Sequence, residues 1–317
     1  MNISLDSPQV RRISDELHQS TTATSDASLW LAVDGSDQRL PDIEGIDWSS
    51  RDSVDVRLPH PDIDPQWYPR WFRLQLDKAE DAHILGHSIV WALEETAPER
   101  LRAGMGRRVS GWFQMGSGTI EDAARQWGNN MVRRVPQAPG RALLRLHDPA
   151  VLWSVWQILG DEQKRQCLGP LRRWHLIDPM GGLLQLEAKD DVGKLDIGST
   201  DLSVAQWQDI QHITPLHQAL LQMTSARQPN MAEYEQWFQT GLQALRRAQN
   251  SGLADEHSLS LFAQLAMTRH PHFDMHPDLQ RILDQREPDE PLGGMLCDFT
   301  EADWNRIVSE VGPIATR

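Results

Sequence analysis

The chain has 317 residues, 39% of them hydrophobic and 24% charged, and a net charge of −14. That apolar content supplies one large core or two modest ones and excludes a disordered chain. No apolar run reaches the ~20 residues of a membrane helix, and so acidic a balance argues against a nucleic-acid partner.

The opening "MNISLDSPQVRRISDELHQS" lacks the apolar stretch of a secretory signal, so the expected location is the cytoplasm. Residues 1–26 read as an N-terminal helix or extension. "ASLWLAVDGS" then reads as a buried strand ending in the Asp34-Gly35 turn. "DIEGIDWSSRDSVDVRLPHPDIDPQWYP" is rich in Asp, Ser and Pro and has no period, which predicts a long surface loop. "RWFRLQL" alternates like a strand, and "DKAEDAHILGHSIVWALEE" forms an amphipathic helix closed by Pro98. A strand in "RVSGWFQM" leads to the helix "TIEDAARQWGNNMVRRV", opened by a capping box of Thr119 and Asp122.

"RALLRLHDPAVLWSVWQIL" follows. Leu143 to Leu146 predicts a short buried strand. Asp148 and Pro149 predict a helix start, because a carboxylate caps free N–H groups and proline needs no donor there. This corner gives Asp148 a structural task, with Arg145 placed to brace it. Beyond it, "RRWHLID" and "GGLLQLE" form a hairpin turning at Pro179 to Gly182. The alternation predicts an α+β or α/β lobe over 27–188, built on a small mixed sheet. "KDDVGKLDIGSTD" breaks the pattern and places a linker at 189–204. An all-helical lobe follows over 205–317, with helices from Ala205 to Met223 (bent at Pro215), Met231 to Gln249, Asp255 to Thr268, Pro277 to Arg286 and Glu301 to Val311.

The chemistry-bearing motifs are weak. His83 and His87 have the i, i+4 spacing of a zinc pair, yet Ile84 stands where a zinc protease needs glutamate. His270, His272, Asp274 and His276 gather in "RHPHFDMHPD" and could ligate a metal from a loop, but the prolines on both sides point instead to a turn between two helices. Cys167 and Cys297 have no ligand or disulfide spacing. Glu94 and Glu95 are helix neighbours that point apart. No nucleophile elbow or phosphate loop is present, so no catalytic residue, metal or cofactor is assigned.

Charge is distributed unevenly. Residues 101–175 hold 12 basic and 5 acidic groups, a net +7, between flanks of −8 (residues 1–66) and −11 (residues 176–317). Such an island suits an acidic protein partner, or else pairs with the chain's own acidic parts. Thirteen tryptophans occur. Most are expected in the core, and a few exposed ones would anchor a partner. The candidate partner-binding residues are Arg133, Arg134, Trp153, Trp156, Arg172, Arg173 and Trp174.

The order "LAVDGS", "GWFQMGSGTIEDAARQW", "ALLRLHDPAVL", "CLGPLRRWHLID" resembles the N-terminal domain of the type VI secretion adaptor, or effector-chaperone, family. The matching residues are Val33, Asp34 and Gly35; Arg145, Asp148 and Pro149; Gly169, Pro170 and Trp174. Departures are Val33 in place of leucine and His147 where an aromatic residue is common. The resemblance covers about 27–188 clearly and 240–285 loosely. It implies a cytoplasmic, non-enzymatic protein that binds a toxic effector and promotes its loading onto the VgrG spike, with no nucleic-acid or membrane partner. Two other readings stand beside it: a metal-dependent or His/Asp hydrolase using His147, Asp148, His175 or the His270 cluster, and an interaction module unrelated to secretion.

Overall fold

The computed structural model describes residues 3–22, 28–35, 40, 43–187, 201–287 and 290–312. The chain divides into two compact units, Met1–Gln206 and Trp207–Arg317. Most of the linker expected at 189–204 lies outside the described residues, as do Ala27 and Ser36 of the first expected strand. No helix among the described residues is long and apolar enough to cross a membrane.

The first unit runs α1 (Pro8–Thr22), β1 (Ser28–Val33), β2 (Ser53–Asp55), β3 (Arg70–Gln75), α2 (Ala79–Glu94), α3 (Pro98–Arg102), β4 (Val109–Met115) and α4 (Ile120–Met131). It continues with β5 (Val132–Arg134), β6 (Arg141–Leu143), α5 (Pro149–Ile158), α6 (Asp161–Leu168), β7 (Leu171–Ile177) and β8 (Leu183–Leu186). Among the described residues, six strands form one sheet in the order β2-β3-β1-β4-β7-β8, and each pairing is antiparallel. The lobe is therefore α+β. Both sheet faces are covered, which is why β1 reads as a continuous apolar run and is buried along its whole length.

Alternation along the strands sorts the core into two layers. Leu29, Leu31, Phe72, Leu74 and Trp112 pack with Ile13 and Leu17 of α1 and Ile84, Leu85 and Ile89 of α2. Trp112 Nε1 donates to Ser88 Oγ of α2 at 3.0 Å, so this buried indole keeps a partner. The opposite face is aromatic. Trp174 stacks on Trp127 of α4 with centroids 4.4 Å apart and planes 4° apart, and on Phe113 at 5.2 Å. Trp71 meets Phe113 edge to face at 4.4 Å. A bulge in β4 keeps Val109 and Trp112 on one face; Gly111, at φ 141°, leaves the space there, because a Cβ would lie 2.2 Å from the His175 carbonyl oxygen.

Several local readings need correction. The loop expected before β3 contains β2, an edge strand of three residues too short to show a period. It also holds two 3-10 turns, capped by the carboxylates of Asp47 and Asp64. Pro98 opens α3, whereas the preceding helix ends at Glu94. The buried strand expected at Leu143 to Leu146 is instead the exposed β6, which pairs with β5 as a separate two-stranded ribbon. Leu144 and Leu146 are buried without strand geometry. The helix from Pro149 and the hairpin between β7 and β8 stand as expected.

The second unit is helical: α7 (Val204–Gln211, beginning in the first unit), α8 (Ile213–Ala226), α9 (Met231–Asn250), α10 (Glu256–Thr268), α11 (Pro277–Gln285), α12 (Leu292–Met295) and α13 (Glu301–Val311). The bend expected at Pro215 is a break at His212, and Pro215 sits in the first turn of α8, where a missing N–H costs nothing. Phe238, Leu242, Leu245, Phe262 and Leu265 are buried, as their helical spacing requires.

The aromatic layer generates a stability prediction. Trp174→Ala removes the ring that both Trp127 and Phe113 stack on, and is expected to cost about 3–5 kcal/mol in urea unfolding. Removal of the exposed Trp67, 55% accessible, is expected to change stability by less than about 0.5 kcal/mol.

Candidate functional site

Two neighbouring arginines immediately precede strand β4 and reach different helices. Arg107 Nη1 donates to Asp148 Oδ1 at 2.9 Å, at the first turn of α5. Arg108 Nε donates to Glu95 Oε1 at 2.7 Å, at the end of α2. Glu95 is 1% exposed, and its other oxygen accepts the N–H groups of Arg108 and Val109 at 2.9 and 3.1 Å. Burial pushes the Glu95 carboxyl up, and these hydrogen bonds pull it back. One strand start thus holds two helix ends.

Asp34 and Gly35 enter beside it. The Asp34 N–H donates to the Arg108 carbonyl at 2.8 Å, continuing the ladder past β1. A Cβ on Gly35 would lie 1.9 Å from the Tyr68 carbonyl oxygen, so only glycine allows that approach. Asp34 Oδ1 lies 3.6 Å from Nε2 of His147, and both residues are buried. Burial depresses the His147 pKa, Asp34 and Asp148 oppose that shift, and Arg145 adds to it. Asp148 Oδ1 also accepts from the Ala150 N–H at 2.9 Å, making it the helix cap its place before Pro149 predicts.

Asp34, Gly35, Asp148 and Pro149 therefore meet at one end of the sheet. The brace on Asp148 is Arg107, while Arg145, proposed for that task, is exposed. Arg107, Arg108 and Glu95 escape sequence reasoning because an arginine pair before a strand has no distinctive spacing.

The histidines do not converge. His83 and His87 stack edge to face, with centroids 4.5 Å apart. His276 caps α11 through Nδ1, and its Nε2 lies 2.8 Å from Glu310. Asp274 is engaged by Arg247 through Nε and Nη2 at 2.9 and 2.8 Å. Among the described residues, no three His, Cys, Asp or Glu side chains are grouped to hold a metal ion. His175 lies inside the sheet with neither ring nitrogen hydrogen-bonded, and burial pushes its pKa down to about 4.

The proposed partner-binding set separates. Trp153, Trp156 and Trp174 are 1%, 7% and 0% exposed, so they are core and cannot anchor a partner. Arg133 is tied to the Asn130 carbonyl and Oδ1 at 3.0 and 2.7 Å, and Arg173 reaches Glu187 at 3.4 Å. Both are occupied internally. Arg134 and Arg172 are exposed. The chain matches no known family model, and no curated protein or solved structure shows significant similarity to it.

Two outcomes follow from this geometry. Asp148→Ala removes both a cap and a half-buried ion-pair partner and is expected to cost about 2 kcal/mol; Asp148→Asn, which keeps the cap, is expected to cost less. Denaturant midpoints check both. The unfolded His175 titrates near its ordinary value of about 6.5 and the folded one only near 4, so acid protonates the unfolded chain first. Its contribution is complete above pH ~6.5 and is lost as pH falls toward 4. His175→Leu is expected to make the midpoint fall less steeply across that window.

Proposed function

We propose that the chain is a cytoplasmic, non-enzymatic adaptor that binds a type VI secretion effector and promotes its loading onto the VgrG spike. The observation that carries this reading is the placement of the residues on which the family resemblance rests. Gly35 admits the Tyr68 backbone and Asp148 caps α5. The Pro170 carbonyl accepts the Gly116 N–H at 2.8 Å, tying the end of β4 to the start of β7, and Trp174 centres the aromatic stack. All serve architecture. A signature made of scaffold residues suits a family whose members share a frame and differ in cargo.

The buried state of His147 and His175 favours a structural role for both over hydrolysis. Binding would then fall to exposed groups that the frame does not consume.

Co-expression of the tagged chain with the toxin and spike encoded beside it tests the reading. The toxin is expected to co-purify, and deletion of the adaptor gene is expected to abolish toxin secretion while the spike is still exported. A gene neighbourhood of metabolic enzymes, or unimpaired toxin secretion without the chain, overturns it.

A further inference from the structure

Residues 123–147 contain five arginines and neither aspartate nor glutamate, within a chain of net charge −14. Arg125 pairs with Asp122 at 2.7 Å, and Arg133 is tied to Asn130. Arg134, Arg141 and Arg145 remain exposed, and among the described residues none of them has an ion-pair partner. Two of these sit in an unfavourable place. In the β5–β6 ribbon Arg134 lies directly opposite Arg141, a like-charge pair that weakens a two-stranded ribbon.

The same ribbon face carries Leu143, 38% exposed. A second stretch of chain adds charge: Arg141 Nη1 reaches the Pro59 carbonyl at 3.4 Å, two residues from the exposed Arg57. Of the carboxylates close to Arg57 in sequence, Asp55 pairs with Arg70 at 2.7 Å and Asp64 caps a 3-10 turn, while Asp62 stays exposed. Among the described residues, both outer edges of the ribbon lack a strand partner.

We propose that the β5–β6 ribbon, with Arg57 beside it, docks an acidic extended segment of a partner protein. Carboxylates relieve the Arg134–Arg141 repulsion, a partner apolar side chain covers Leu143, and the free edge offers backbone hydrogen bonds. Three arginines around one leucine fit a short acidic-apolar segment better than nucleic acid, which needs a longer basic track without apolar contact. This deepens the adaptor reading and rests on it for the class of partner.

The test uses the full chain and a fluorescein-labelled peptide of alternating aspartate and leucine, followed by anisotropy. Saturable binding is expected, weakened about tenfold between about 50 and about 300 mM salt. R134E/R141E is expected to weaken it by at least about tenfold. R134E alone separates binding from folding: it places a carboxylate opposite Arg141, so melting temperature holds or rises while peptide affinity falls. Reversal of Arg11, exposed on α1, is expected to leave binding unchanged. Equal binding by wild type and R134E/R141E overturns the proposal. So does tighter binding of an oligothymidine or of phosphatidylserine vesicles than of the peptide. No secretion partner enters this titration, so its failure is distinguishable from failure of the adaptor reading.

Discussion

Strand β4 lies between β1 and β7, and its first two arginine contacts decide how the sheet meets its helices. A carboxylate withdrawn from water is tolerated only when paired and hydrogen-bonded, and the buried Glu95 and the half-buried Asp148 meet that condition at adjacent residues of one chain segment. Because Arg107 reaches the start of α5 and Arg108 the end of α2, both helices are tied to the segment that leads into the same strand. Gly35 and Asp34 then enter a space already bounded by Tyr68 and Arg108. Loss of Arg108 leaves the buried Glu95 carboxylate without its counter-charge, so this contact acts through specificity of arrangement as much as through net stabilisation.

That constraint also settles what the basic island consists of. Counted along the sequence, it is a uniform excess. In space its arginines divide into those that the fold engages, namely 107, 108, 125, 133, 165 and 173, and those left on the surface, namely 102, 134, 141, 145 and 172. Only the second group contributes a field that a partner meets, since paired charges cancel within a few ångströms. The surface group is smaller than the sequence count implies, and part of it lies on a single ribbon.

How much was legible follows from which signals are local. Asp148 followed by proline, Thr119 before Asp122 and the Pro179–Gly182 turn each encode their geometry within a few residues, and the structure has them. The continuous apolar run of β1 and the helical spacing of the second unit were equally readable. Strands β2, β5 and β6 are three residues long, below any period, and owe their form to pairing, of β2 with β3 and of β5 with β6. Burial of Trp153, Trp156 and Trp174 was not legible residue by residue, because a tryptophan has the same chemistry in a core and at an interface. The histidine-rich segment near His270, read from its prolines as a turn, has Asp274 held by Arg247 and His276 beside Glu310.

The residues that carry the family resemblance hold the frame, while those free to bind lie between them in sequence. Gly35, Asp148 and Trp174 are constrained by backbone approach, capping and stacking respectively. Arg134, Arg141 and Leu143 tolerate almost any residue that a short ribbon accepts, because nothing in the core depends on them. Change on the ribbon is therefore separable from change in the frame. The like-charged pair on the ribbon is then intelligible. It weakens two three-residue strands that contribute only Val132 to the core, and in exchange places two arginines directly opposite each other, where adjacent carboxylates can meet them.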